Sequence, residues 1–157
     1  MDAREAVLAR IAGHIGPVPR DGAALIAVDG VDGSGKTTFA QALVEHLEGS
    51  GQRAVRVSID SFHRPRVERY RLGRSSPEGF YRDSFDVEAF LEVVVDPTRP
   101  GGSMRVLPAV FDHRTDTPVA SEEVEVAGAV VVVDGIFLRT VGAPRGASRG
   151  PAGMMRS

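Results

Sequence analysis

The 157-residue chain contains no cysteine and a single lysine. Without cysteine there is no disulfide framework and no thiolate metal centre, and a reducing compartment such as the cytoplasm is the natural expectation. Nothing at the N-terminus reads as a basic, then apolar, then small-residue export signal. The longest apolar run, Ala127 to Val133, is far short of the roughly 20 residues that cross a bilayer, so no membrane partner is expected. A formal net charge of −2 gives no broad electrostatic footprint for nucleic acid.

The one lysine, Lys36, lies in Gly30-Val31-Asp32-Gly33-Ser34-Gly35-Lys36-Thr37, a complete G-x-x-x-x-G-K-[ST] phosphate-binding loop. Glycines let the backbone curl around an anion with its N–H groups turned inward. Lys36 then reaches the β- and γ-phosphates, and the Thr37 hydroxyl ligates Mg²⁺. The flanks fit, since Ala24–Val28 is an apolar, strand-like run and Thr38–Leu47 is helix-like. A helix start there adds unpaired N–H groups and a partial positive charge. ATP with Mg²⁺ is therefore the expected cofactor pair, with Gly30, Asp32, Gly33, Ser34, Gly35, Lys36, Thr37 and Thr38 as the binding residues. A GTPase switch is disfavoured, because an Asn-Lys-x-Asp base-reading motif needs a second lysine.

Length and a 42% hydrophobic content suit one domain with a real core. Arg4–Ile15 carries Val7, Leu8, Ile11 and Ile15 at the spacing of one helical face, predicting a leading helix and linker over 1–20. The phosphate-loop helix should end near Gly49-Ser50-Gly51 in a left-handed cap. Ala54–Ile59 reads as a second strand that delivers Asp60 at its C-terminal end, where open α/β sheets bind ligands. Asp60 is then either an acid at a ligand site or the N-cap of the next helical segment.

After Asp60 comes a stretch of arginines, Arg64 to Arg82, interleaved with Phe62, Tyr70, Phe80 and Tyr81, but Glu68, Glu78 and Asp83 are mixed among them. A solvated helix and loop fits this pattern better than an RNA-binding face. Asp86 should cap a helix that ends before Pro97. Met104–Leu107 and Val124–Val126 predict a small hairpin beside the main sheet. Val130-Val131-Val132-Val133-Asp134 lacks alternation, so it reads as a parallel strand buried on both faces that ends in an acid. That acid is either a Mg²⁺ ligand opposite Thr37 or a surface residue opening a turn with Gly135. From Arg139 onward there are four arginines and no acid, against 15 basic and 21 acidic residues before it, so 139–157 is expected to be a disordered Gly/Pro/Arg-rich tail.

In this order, Asp29–Thr38, Val57–Arg64, Tyr81–Asp86, Val110–Asp112 and Val133–Phe137 resemble segments of the uridine kinase and related nucleoside kinase family of P-loop enzymes. The resemblance implies an α/β fold, a three-layer α/β/α P-loop NTPase with a parallel sheet, forming the core over 1–138. It implies ATP-dependent phosphoryl transfer to a hydroxyl of a nucleoside such as uridine or cytidine. Asp60 would orient and deprotonate that hydroxyl, Lys36 would assist at the phosphates, and Thr37 and Asp134 would serve Mg²⁺. His63, Arg64, Phe111 and Asp116 would face the substrate.

The chain departs from the familiar uridine kinases in showing Phe80-Tyr81-Arg82-Asp83 in place of Phe-Asp-His-Pro. It also has Phe111 and Asp116 where tyrosine and histidine are usual, which leaves pantothenate kinase-like and phosphoribulokinase-like acceptors open. The family continues past Leu138 into further strands and an arginine-bearing lid. The resemblance therefore also implies a core lacking its last strands, which could bind nucleotide with impaired turnover.

Overall fold

A computed structural model describes residues 2–29, 35–69 and 85–135. Gly30, Asp32, Gly33 and Ser34, the Tyr81–Asp83 segment and the 139–157 tail lie outside the described residues.

The main sheet has three parallel strands, β1 (Ala23–Asp29), β2 (Ala54–Ser58) and β7 (Ala129–Gly135), in the order β1-β7-β2. β7 is central and buried along its whole length, as its unbroken valine run requires. Its side chains alternate between two cores. Val130 and Val132 pack with Leu8, Ile26, Leu43 and Leu47 on one side. Val131 and Val133 pack with Val57, Phe62, Phe90 and Val94 on the other. The layers are thus helices, sheet, helices and loops, the α/β/α arrangement expected. Each fully buried valine contributes about 1.5–3 kcal/mol relative to exposure.

Helix α1 (Ala3–Ile15) begins with a reciprocal capping box between Asp2 and Glu5. Of its expected apolar face Leu8 is buried and Ile11 and Ile15 pack partly buried against the same core, while Val7 is 45% exposed and departs from the predicted stripe. Val7 and Leu8 are neighbours about 100° apart on a helix of 3.6 residues per turn, so a narrow seam against α2 cannot cover both.

Helix α2 (Lys36–Gly49) ends as the glycines predict. Gly51 takes φ +89°, and the Gln52 N–H returns to the Leu47 carbonyl at 2.9 Å. The Gln52 amide also donates to the Gly128 carbonyl, joining the end of α2 to the start of β7.

A 3₁₀ turn, Ile59–Phe62, comes after β2, and a short helix α3 (Arg66–Arg69) comes after that. Asp86 caps helix α4 (Val87–Phe90) by accepting from the Ala89 N–H at 3.1 Å, as expected. The helix does not stop before Pro97. It widens into a π-turn over Leu91–Val95 and tightens into a 3₁₀ turn over Asp96–Thr98 that contains the proline. Pro97 is tolerated because it stands at the start of that last turn, where its missing N–H has no helical partner to lose.

The predicted small hairpin is two nested pairs. β3 (Arg105–Val106) runs antiparallel to β6 (Val124–Glu125), and inside them β4 (Phe111–Asp112) pairs with β5 (Thr117–Pro118). No helix among the described residues is long and apolar enough to cross a membrane.

Candidate active site

The three parallel strands end together. Val28 of β1 and Ser58 of β2 both stand level with Asp134 of β7. That carboxyl edge is where open α/β sheets bind ligands, and two acids and a helix start converge on it.

Helix α2 begins there. Its N-cap, Gly35, adopts φ +81°, a left-handed conformation a side-chain-bearing residue takes only at a cost. Among the described residues no side chain caps the helix, and its first turn contains no acid. A helix start of this kind leaves leading N–H groups suited to an anion. Thr37 and Thr38, exposed in that turn, border a groove of about 430 Å³ that Arg4, Glu45 and Arg56 also line.

Asp134 lies on the α2 face of the sheet, in step with Val130 and Val132. Its side chain is 1% exposed, which removes the surface-turn alternative. A carboxylate so placed needs a charged partner, and Arg56 provides one, with Nη1 2.6 Å from Oδ2. Sequence reasoning misses this partnership. Its only signal is an arginine between two valines of the strand Ala54–Ser58, and identifying the partner requires the sheet order.

No cluster of three or more acids or histidines suited to a metal occurs among the described residues. Mg²⁺ does not require one, since it keeps several waters and takes one or two protein oxygens plus phosphates. The hard-oxygen donors Thr37 and Asp134, beside an uncapped helix start, fit Mg²⁺ and a polyphosphate.

Asp60 leads the other half of the site. It lies in the 3₁₀ turn after β2, and its backbone N–H donates to Ser58 Oγ at 3.2 Å, so Ser58 is the cap and Asp60 is not. The Asp60 side chain is 57% exposed, with Oδ1 3.6 Å from His63 Nε2. His63 is only 13% exposed and lies against the rings of Phe85, at a centroid distance of 4.7 Å, and His113, at 4.4 Å. Its Nδ1 is buried with no hydrogen-bond partner among the described residues. An unmet buried nitrogen costs about 1–3 kcal/mol and calls for an explanation where it occurs. His113 is a second residue that sequence reasoning misses, for no motif contains it.

Arg64 supports the wall of the site, its Nε donating to the Phe85 carbonyl at 3.1 Å. Phe111 is buried at the base of the inner hairpin, and Val110 N–H ties that hairpin to Ser61 beside Asp60. Asp116, at φ +56°, accepts the Arg66 N–H and so pins the hairpin turn to α3. The Asp112 carboxylate is held below its usual pKa chiefly by the hydrogen bond it accepts from the Arg114 N–H. His63 and Phe111 thus share a wall beside Asp60, while Arg64 and Asp116 hold that wall together.

Residues 25–142 match the model of the phosphoribulokinase/uridine kinase family. A uridine kinase of Leuconostoc citreum (strain KM20) is 27% identical over 114 residues, covering 73% of this chain and 53% of the relative. The chain thus spans about half the length of that relative. A possible uridine kinase from Bacillus stearothermophilus superposes with a TM-score of 0.69 at 23% identity, over 86% of this chain and 72% of its own. A candidate fructose transport system kinase from Silicibacter sp. TM1040 gives 0.68 at 26% identity, over 88% and 65%. With the parallel sheet, the phosphate-loop sequence and the acid closing β7, these matches make the chain a member of the phosphoribulokinase/uridine kinase family.

Proposed function

We propose that the chain carries out ATP-dependent phosphoryl transfer to a hydroxyl group of a small molecule, a nucleoside such as uridine or cytidine being the favoured acceptor. The observation that carries this reading is the convergence of Asp60, Asp134 and the uncapped start of α2 at one edge of the sheet. Lys36, the loop from Gly30 through Gly35, and the Thr37 and Thr38 N–H groups would hold the phosphates. Thr37 and Asp134 are the residues that would hold Mg²⁺, which when bound offsets phosphate charge.

Asp60 acts on the acceptor. A hydroxyl is a weak nucleophile, and a carboxylate within hydrogen-bond reach aligns it and takes its proton as the oxygen bonds to the γ-phosphorus and ADP leaves. The exposure of Asp60 suits a group that must meet an incoming substrate. His63 and Phe111 form the neighbouring wall, against which a ring could lie.

A second reading is a chain that binds nucleotide with little or no turnover. The family match and the phosphate-loop sequence support nucleotide binding in either reading, and turnover separates the two. The kinase name of the Silicibacter neighbour adds sugars to the acceptors worth testing.

The test is ADP formation from Mg²⁺-ATP with uridine, cytidine, pantothenate, ribulose 5-phosphate and fructose, alongside an ATP-binding titration. Turnover with one acceptor, lost in Asp60→Asn while ATP binding persists, supports the kinase reading. Binding without turnover on any acceptor supports the second. Absence of ATP binding, unchanged by Lys36→Ala, overturns both.

A further inference from the structure

We infer that Arg56 is a latch on the cation-binding acid: its guanidinium holds the Asp134 carboxylate in the cation-free protein and competes with the divalent cation for it. The inference rests on the proposed role of Asp134 and adds a residue which that role does not require.

Asp134 is almost wholly buried at the end of the central strand, so an ionised carboxylate there without a counter-charge would be strongly unfavourable. Arg56 supplies the charge from the neighbouring strand. The residue level with Asp134 on β2 is Ser58, and Arg56 lies one alternation earlier on the same face, so the guanidinium reaches along the sheet to Oδ2. An oxygen engaged at 2.6 Å by a guanidinium is not open to a metal ion, and the two positive charges repel. A cation that takes Oδ2 must displace the arginine, and one that takes Oδ1 is opposed by the guanidinium charge beside it.

Displacement has a path. Arg56 is not sealed in as Asp134 is. Its side chain is 32% exposed and lines the groove that also exposes Thr37 and Thr38. Glu45 lines the same groove, an acid to which a released guanidinium could turn. The latch thus has its closed partner in Asp134 and a solvent-filled groove into which it opens. It keeps the buried acid compensated when no cation is present, and it sets the cation's apparent affinity by competition.

The test uses Mn²⁺ alone, titrated into nucleotide-free protein and followed by the electron paramagnetic resonance signal of free Mn²⁺, with melting curves measured in parallel. Arg56→Met is expected to bind Mn²⁺ tighter than wild type by roughly an order of magnitude, within the usual range of coupling between sites. Its melting temperature should climb with added Mn²⁺ more steeply than that of wild type, because the cation now supplies the charge that the buried acid lacks. Asp134→Asn should abolish both effects.

If Arg56→Met does not fold without the cation, Arg56→Gln replaces it, keeping one hydrogen-bond donor to Asp134 and no charge. Equal or weaker Mn²⁺ affinity in the Arg56 variant, with Asp134→Asn still weakening binding, overturns the latch and leaves the role of Asp134 standing. Equal affinity in wild type and Asp134→Asn overturns both.

Discussion

The backbone N–H of Arg66 donates to Asp116 Oδ1 at 2.7 Å, across a sequence separation of 50 residues. One side chain in the inner hairpin turn thereby fixes where α3 starts, and with it the stretch leading away from His63. Asp116→Ala removes the clamp and should lower stability by about 1 kcal/mol, the usual net worth of such a bond. Asp116→Asn keeps the acceptor oxygen and tolerates the positive φ, so its melting temperature should match wild type. A KM raised in the asparagine variant without a change in melting would assign Asp116 to the substrate as well as to the scaffold.

Phe62 ends the turn that carries Asp60, and it is fully buried with its ring edge-on to Phe90 at 5.3 Å and 86°. Phe62→Ala should cost about 3–5 kcal/mol, measured by urea denaturation. Phe62→Leu should lose much less stability, yet still slow turnover, because the turn positioning Asp60 is seated on that ring.

Gly102 has no room for a methyl group. A β-carbon there would stand 2.3 Å from the Pro97 carbonyl oxygen, which already accepts from the Met104 N–H. Gly102→Ala should therefore destabilise by about 1–3 kcal/mol through backbone displacement. The measurement is the denaturation midpoint beside Gly13→Ala, where a β-carbon meets nothing within 4 Å.

Asp112 gives the hairpin an acid dependence. Its folded pKa lies below the ordinary value of 3.8, so the stability it contributes is complete above that value and is lost as pH falls through the lower, folded one. Asp112→Ala should be less stable than wild type at neutral pH. The gap should close well below pH 3.8, read from denaturation midpoints at both pH values.

The apolar strands and the helix cap are legible in the sequence because local chemistry decides them. A valine run buried on both faces and a glycine at positive φ read the same in isolation as in the fold. Val7 cannot be placed so, because how wide a stripe α1 buries depends on how α2 meets it. The π-turn at Leu91–Val95 is hidden for a related reason, since its one extra residue per turn serves to seat Val94 and Val95 in a core that exists only once the sheet is built. Within the site, Asp134 is visible as an acid at the end of a strand and Asp60 as one just past a strand. Arg56 and His113 are not, because each acquires its meaning from a neighbour far along the chain.

The strand order β1-β7-β2 also governs when the site can come into being. β1 and β2 are consecutive in sequence yet never pair, and the strand between them is made after both. Ala23 waits for Ala129, and Ala54 for Val130, so no partial sheet of earlier residues can bring the phosphate-loop helix and Asp60 together. Long-range closure of this kind slows folding, since chain entropy is lost before the contacts form. A ribosome-bound chain stalled before Ala129 should therefore show no protection of β1 by nucleotide, and ligand affinity should arrive in one step with β7.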